Sequence, residues 1–109
     1  MAQLERTINE DFDSLLSRIE SGILGGSISA TLEGRSDFAS GGARCSVRIF
    51  ERYSYTGGNR ASLSVTLFKA SEGSPVALSA IASGGSQGMF FKFNTFGENA
   101  FLSKLEQLL

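Results

Sequence analysis

The sequence predicts an α+β domain in which an N-terminal helix, a four- to five-stranded antiparallel sheet and a C-terminal helix follow one another, with both helices on one face of the sheet. Three observations predict it. Apolar residues recur with a 3.6-residue period near the start, switch to a period of two through the middle, and return to a helical stripe at the end. Gly-Gly pairs at 25–26, 41–42, 57–58 and 84–85 punctuate these stretches where turns are needed. The connections between strand-like stretches are of hairpin length, which suits antiparallel neighbours.

The first helix is expected over residues 9–24. Ile8, Phe12, Leu15, Leu16, Ile19 and Ile23 make one stripe, Asn9 or Thr7 caps the start, and Glu10, Asp11 and Asp13 suit the positive end of the helix dipole. Gly25 and Gly26 end it. A first strand over 27–33 places Ile28, Ala30 and Leu32 inward, and 34–42 reads as a polar loop. The second strand spans 44–55 and the third 60–70. Cys45, Val47, Ile49, Tyr53 and Tyr55 form the apolar row of the second; Ala61, Leu63, Val65 and Leu67 form that of the third. Opposed residues of an antiparallel pair share a face, so matching these rows requires an odd-numbered loop and puts Thr56 opposite Arg60, with a bulge in the turn. Glu51 resists this scheme. It lands on the inner face, which requires either a bulge near Glu51 and Arg52 or a wet end to that face.

Residues 76–83 form a fourth strand with Val76, Leu78, Ala80 and Ala82 inward. A Gly-rich loop, 84–88, leads to a short fifth strand over 89–93. Thr95 and Glu98 have capping-box spacing and open the last helix, whose stripe is Phe101, Leu102, Leu105, Leu108 and Leu109.

With 109 residues and neither internal repeats nor a linker, the chain reads as a single domain over 1–109. A domain of this size buries roughly two-thirds of its unfolded surface. The absence of histidine excludes imidazole as base, proton shuttle or metal ligand. One cysteine excludes an intrachain disulfide, a CxxC redox pair and an all-cysteine zinc site, so no metal or cofactor is expected. Apolar runs are too short to span a bilayer, and the acidic start lacks the layout of a secretory signal. A cytoplasmic protein without a membrane segment is expected. The 13 glycines and 17 serines fall between and along alternating strands, so they mark turns and polar sheet positions rather than a disordered linker.

Few residues suggest catalysis. The loop 84–88 is the most phosphate-like feature, since Gly-rich turns present backbone N–H groups to anions, and Ser86 and Gln87 are its candidate ligand-binding side chains. It lacks the P-loop lysine and hydroxyl, and residues 89–93 after it are strand-like, so a plain connection is the simpler reading. Cys45 falls on the inward row, where a thiol behaves as a small hydrophobe. The carboxylates before the first helix are ordinary dipole partners. Glu51 is the one carboxylate in an odd place, and it has no second carboxylate beside it.

Charge distribution is more informative than the net charge of -1. Residues 1–43 carry -4, residues 44–60 carry +3, and the remainder balances. Arg44, Arg48 and Arg52 recur on the even side of the second strand, facing away from the helices. By parity Phe50, Phe68, Ile81 and Phe90 share that outer face, and Arg48 opposes Phe68 within cation-π reach. Aromatic residues and arginine with little lysine mark interface centres, so Arg48, Phe50, Arg52, Phe68, Ile81 and Phe90 are the candidate interface. A bulge that reverses the parity, or phenylalanines folded over the sheet rim, would dissolve the cluster. Aromatics beside basic residues also describe nucleic-acid platforms, but the acidic pI weighs against one.

The stretches 51–60 (ERYSYTGGNR) and 83–98 (SGGSQGMFFKFNTFGE) resemble a family of small bacterial proteins of about this length, described only as a domain of unknown function. The likeness spans nearly the whole chain and implies no activity or site. The architecture is also similar to one half of a TATA-binding-protein-like saddle or to a truncated helix-grip fold, a likeness that carries no function.

The leading expectation is a non-catalytic domain that self-associates through the outer sheet face, a homodimer being favoured. The alternative is a small-molecule binding module with an apolar pocket between sheet and helices. Five of the nine phenylalanines lie between 90 and 101, and Glu51, Tyr53 and Tyr55 would supply its polar contacts. An enzyme built on Glu51, Arg52 and Tyr53 would lack a base, a cysteine pair or a carboxylate dyad.

Overall fold

A computed structural model describes residues 2–26, 28–53, 60–84 and 101–109. The element order is β1 (Ala2–Ile8), α1 (Phe12–Gly25), β2 (Thr31–Ser40), β3 (Ala43–Tyr53), β4 (Arg60–Lys69) and β5 (Val76–Gly84), with residues 101–106 in a C-terminal helix. The five strands form one antiparallel sheet in the order β1-β5-β4-β3-β2. The α+β class and the antiparallel sheet agree with the sequence reading. One strand of the described sheet is not among those expected: β1, at the N-terminus, so that α1 is the second element rather than the first. The strand expected over 89–93 and the Thr95–Glu98 cap lie outside the described residues.

β1 is hidden in the sequence because its inward row, Ala2, Leu4, Arg6 and Ile8, is interrupted by a charge. Arg6 is satisfied by Glu106 of the C-terminal helix at 2.6 Å. Ile8 belongs to this strand and not to the helical stripe. α1 consequently starts late, and its cap is Asp11 rather than Asn9 or Thr7, accepting a 2.9 Å hydrogen bond from the Ser14 N–H. Its stripe of Phe12, Leu15, Ile19 and Ile23 is buried as expected.

β2 starts later and continues further than its apolar alternation suggests. Ile28 precedes the strand and is exposed, while 34–40, expected as a polar loop, pairs with β3 through a bulge between Leu32 and Gly34. Ser40 pairs with Ala43, and Gly41 and Gly42 close the hairpin at φ +55° and +90°. Two successive positive φ angles are the two-residue turn that matches strand twist, and glycine accepts them at no steric cost.

The largest departure concerns β3. Its register with β4 runs unbroken from Arg44↔Lys69 to Tyr53↔Arg60, leaving residues 54–59 between the strands. The loop is even-numbered, so odd positions of β3 share a face with even positions of β4, and Thr56 is not the partner of Arg60. Every side chain of β3 is therefore on the opposite face from that expected. Phe50 pairs with Leu63 and Arg48 with Val65, both inward; Cys45, Val47, Ile49, Glu51 and Tyr53 point outward. The bulge sought near Glu51 is absent from β3, since Glu51 is not on the inner face.

One core cluster joins Phe50, Leu63, Val65, Leu67, Val76, Leu78, Ala80 and Ala82 of the sheet with Phe12, Leu15, Ile19 and Ile23 of α1 and Phe101 and Leu105 of the C-terminal helix. By register the sheet residues in that cluster share one face, the inner face. α1 approaches the C-terminus at Gly22, where an added Cβ would press on the end of the Leu108 side chain. Arg18 Nε donates to the Leu108 carbonyl at 2.7 Å beside it.

Candidate functional site

Two features of the sheet differ from an ordinary half-buried surface: a charged group inside and an uncharged face outside. The inside group is Arg48, only 2% exposed although it carries a full charge. Its Nε donates to Glu20 of α1 at 2.5 Å, its Nη2 lies 3.0 Å from Asp37 Oδ1 of β2, and its Nη1 donates to the Val47 carbonyl at 2.9 Å. Burial opposes the Arg48 charge, but Glu20 and Asp37 more than offset it and raise its pKa. Ser46, also buried, donates to Asp37 at 2.6 Å. That hydrogen bond, with Arg48 behind it, holds the Asp37 carboxyl below the ordinary 3.8.

Other inward arginines follow the same logic. Arg44 grips Asp13 with two bonds of 2.7 and 2.9 Å and stacks its guanidinium 4.2 Å from the Phe12 ring centre, lowering the pKa of Asp13. Arg52 rests 4.6 Å over the Phe101 ring, and burial lowers its pKa. These contacts connect the sheet to the helical segments.

The outer face is built by three rows that cross β2, β3, β4 and β5 in register. They read Phe38, Cys45, Phe68, Ala77; Ser36, Val47, Thr66, Ser79; and Gly34, Ile49, Ser64, Ile81. No residue in these rows is charged. Phe38 is 66% and Phe68 46% exposed in the first row, and Ile81 is exposed in the third. Glu5 of β1 continues the middle row at the sheet edge. At the far end Glu51 is ion-paired with Arg60, accepts from Ser62 Oγ at 3.4 Å, and neighbours Tyr53, whose ring lies 5.2 Å from the Arg60 guanidinium. A hollow of about 420 Å³ opens over Ala77, walled by Phe68, Thr66 and Ser79 on one side and by Glu5, Arg6 and Thr7 of β1 on the other. A second hollow, about 540 Å³, lies at the β2–β3 turn, where Arg44 and Lys69 are balanced by Asp11 and Glu72.

Of the expected interface residues, Phe68 and Ile81 are on the outer face as read. Arg48 and Phe50 are buried on the inner face and Arg52 lies inward, so the expected cluster and the Arg48–Phe68 contact do not form; Arg48 opposes Val65. Phe90 lies outside the described residues. Of the expected ligand contacts, Glu51 and Tyr53 are on the outer face, away from the sheet–helix interior, while Tyr55, Ser86 and Gln87 lie outside the described residues. Cys45, expected inside, is half-buried on the outer face. Phe38 escapes a reading of 34–42 as a loop; the available signal is the Gly41-Gly42 pair, which as a two-residue turn demands a strand immediately before it. Among the described residues, no three acidic or cysteine side chains converge to hold a metal ion. No described helix is long and apolar enough to cross a membrane.

Fold and surface together define an α+β sheet domain with a charge-linked interior and an outer face whose three central rows, from β2 to β5, carry no charge. The chain belongs to a family of unknown function, DUF6054, whose model matches residues 1–109, in keeping with the resemblance carried by 51–60 and 83–98. No curated protein and no solved structure shows a significant match to it.

Proposed function

We propose that this is a non-catalytic, cytosolic domain in which both helices cover the inner face of the sheet and the outer face associates with a second copy of the chain. The observation that carries the reading is the combination of no charge across twelve outer positions with exposed Phe38, Phe68 and Ile81. A twofold interface sets one surface against itself, so a charge near the axis meets its like and a charge elsewhere needs an opposite charge at the position related by symmetry; an uncharged face avoids both conflicts. Exposed apolar surface of this kind ordinarily marks an interaction site.

The sheet edges favour face over edge as the route. β2 carries a bulge and the charged residues Glu33, Arg35 and Asp37, and β1 carries Glu5 and Arg6; both devices discourage strand addition. Four strands at about 4.8 Å and the five residues that the three rows span at about 3.3 Å give roughly 320 Å², and the rows of Glu51 and Tyr53 lengthen the footprint to roughly 570 Å² before side-chain relief. Relief brings this towards the ~800 Å² per partner of an ordinary specific interface. The single cysteine fits a reducing compartment. A pocket between sheet and helices has less support, because Glu51 and Tyr53 face away from it.

Sedimentation equilibrium tests the reading. The wild type is expected to be dimeric at micromolar concentration and Phe68→Asp monomeric, with unchanged circular dichroism. A wild type that stays monomeric at such concentrations contradicts it.

A further inference from the structure

The pattern of sizes on the outer face specifies how the second copy docks. Across β2, β3, β4 and β5 the first row alternates large and small: Phe38, Cys45, Phe68, Ala77. The third row alternates in the opposite phase: Gly34, Ile49, Ser64, Ile81. The middle row sets near-isosteric Val47 and Thr66 side by side between two serines. We infer, resting on the self-association reading above, that the two copies pack face to face about a twofold axis running along the strands between β3 and β4.

Rotation about that axis keeps the position along each strand and reverses the order of strands. β2 of one copy then lies over β5 of the other, and β3 over β4. Phe38 meets the partner's Ala77 and Phe68 meets the partner's Cys45, so every phenylalanine of the first row faces a small residue. In the third row Ile49 meets Ser64 and Ile81 meets Gly34. At the far end Tyr53 meets Arg60, a cation over a ring. The hollow over Ala77 is the receptacle for Phe38 of the other copy. The alternation supplies the interdigitation that packing of two sheets requires.

One other twofold arrangement also sets large against small. An axis perpendicular to the strands would place Phe38 over Gly34 and Ile81 over Ala77. It also stacks β1 on β1 and sets Glu5 directly against the Glu5 of the other copy, because Glu5 continues the middle row. Two like charges in contact at an apolar interface oppose association. With the axis along the strands, β1 extends beyond the other sheet, so Glu5 stands at the rim, in the wall of the hollow over Ala77, and does not meet the Glu5 of the other copy.

A size exchange tests the arrangement. Ala77→Phe and Phe38→Ala are each expected to weaken the dimer by about tenfold or more in sedimentation equilibrium, as truncation or obstruction of an interface anchor does. The double variant Phe38→Ala/Ala77→Phe should recover most of the loss, because the large and small partners have only changed places. Circular dichroism and thermal melts confirm that all four proteins fold. A dimeric wild type whose double variant is no tighter than the weaker single variant overturns this docking and leaves self-association through the face standing. A monomeric wild type overturns both. A second measurement is independent of packing energy: in a Cys45→Ser background, Phe38→Cys/Ala77→Cys places two thiols about 14 Å apart within a chain, three strand spacings. A short bis-maleimide should then join two chains into a species of doubled mass; absence of that species from a sedimenting dimer overturns the arrangement.

Discussion

The two faces of one sheet solve the problem of charge in opposite ways. The inner face carries Arg6, Arg44 and Arg48 and matches them with Glu106, Asp13 and Glu20. The outer face between β2 and β5 carries no charge in three successive rows. Ordinary amphipathic sheets keep their charges in water; this one has the usual apolar core on its inner face but sets paired arginines beside it. The contrast teaches that the charges of the inner face position parts of the same chain, whereas the three central outer rows carry none that could do so.

The largest expected effect comes from changing the same residue type on the two faces. Phe50→Ala should destabilise the fold by about 3 to 5 kcal/mol, because a fully buried ring leaves a cavity. Phe68→Ser should change monomer stability by no more than about 0.5 kcal/mol, as exposed positions do. Urea unfolding of both variants at a concentration below association checks the pair; equal losses would break the distinction between the faces.

Next in size is the buried arginine. Arg48→Ala removes a packed side chain and separates two carboxylates from their counter-charge, and should cost about 2 to 4 kcal/mol. Arg48→Met keeps the volume and removes the desolvation penalty, so its cost should be within about 1 kcal/mol. Glu20 and Asp37 reach solvent in either variant, being 27% and 51% exposed. If methionine proved as damaging as alanine, the ion pairs rather than the packing would be holding α1 on β3.

The smallest effect is a pH dependence. The Asp37 carboxyl has its pKa lowered in the folded chain by the hydrogen bond from Ser46 and by Arg48. A carboxylate with a lowered folded pKa contributes stability above its ordinary value of 3.8, and that contribution is lost as pH falls through the lower folded value. Asp11 and Asp13 act in the same direction. Thermal melts between pH 2 and 7 should therefore fall off below pH 4, less steeply for Asp37→Asn than for the wild type; parallel curves would contradict it.

How much of this is legible in the sequence depends on how each strand handles charge. β4 and β5 have clean alternation on one side, Leu63, Val65, Leu67 and Val76, Leu78, Ala80, Ala82, and α1 has an uninterrupted stripe; all three are readable with their inward residues. β1 is not, because Arg6 breaks its inward row and its partner, Glu106, is a hundred residues away. β3 reads inside out because its inward row, Arg44, Ser46, Arg48, Phe50 and Arg52, is the more polar of its two rows. Only the distant acids of α1 and β2 make that row compatible with burial. Glu51 is the residue that betrays the error: an acid out of place on the inner face is at home beside Arg60 on the outer one. The outer surface is legible in part, through Phe68 and Ile81. Phe38 is not, since an edge strand held by a ladder, a bulge and a Gly-Gly turn needs no apolar alternation.

The most direct test of the outer face as a contact between copies uses the native cysteine as its reporter. Cys45 lies on that face between Phe38 and Phe68, and it is the chain's single thiol, so no substitution is needed. Its rate of reaction with a small disulfide reagent should fall as protein concentration rises through the association range, in step with the mass seen by sedimentation. A labelling rate that stays constant while the protein dimerises, or a protein that does not dimerise, would contradict the account.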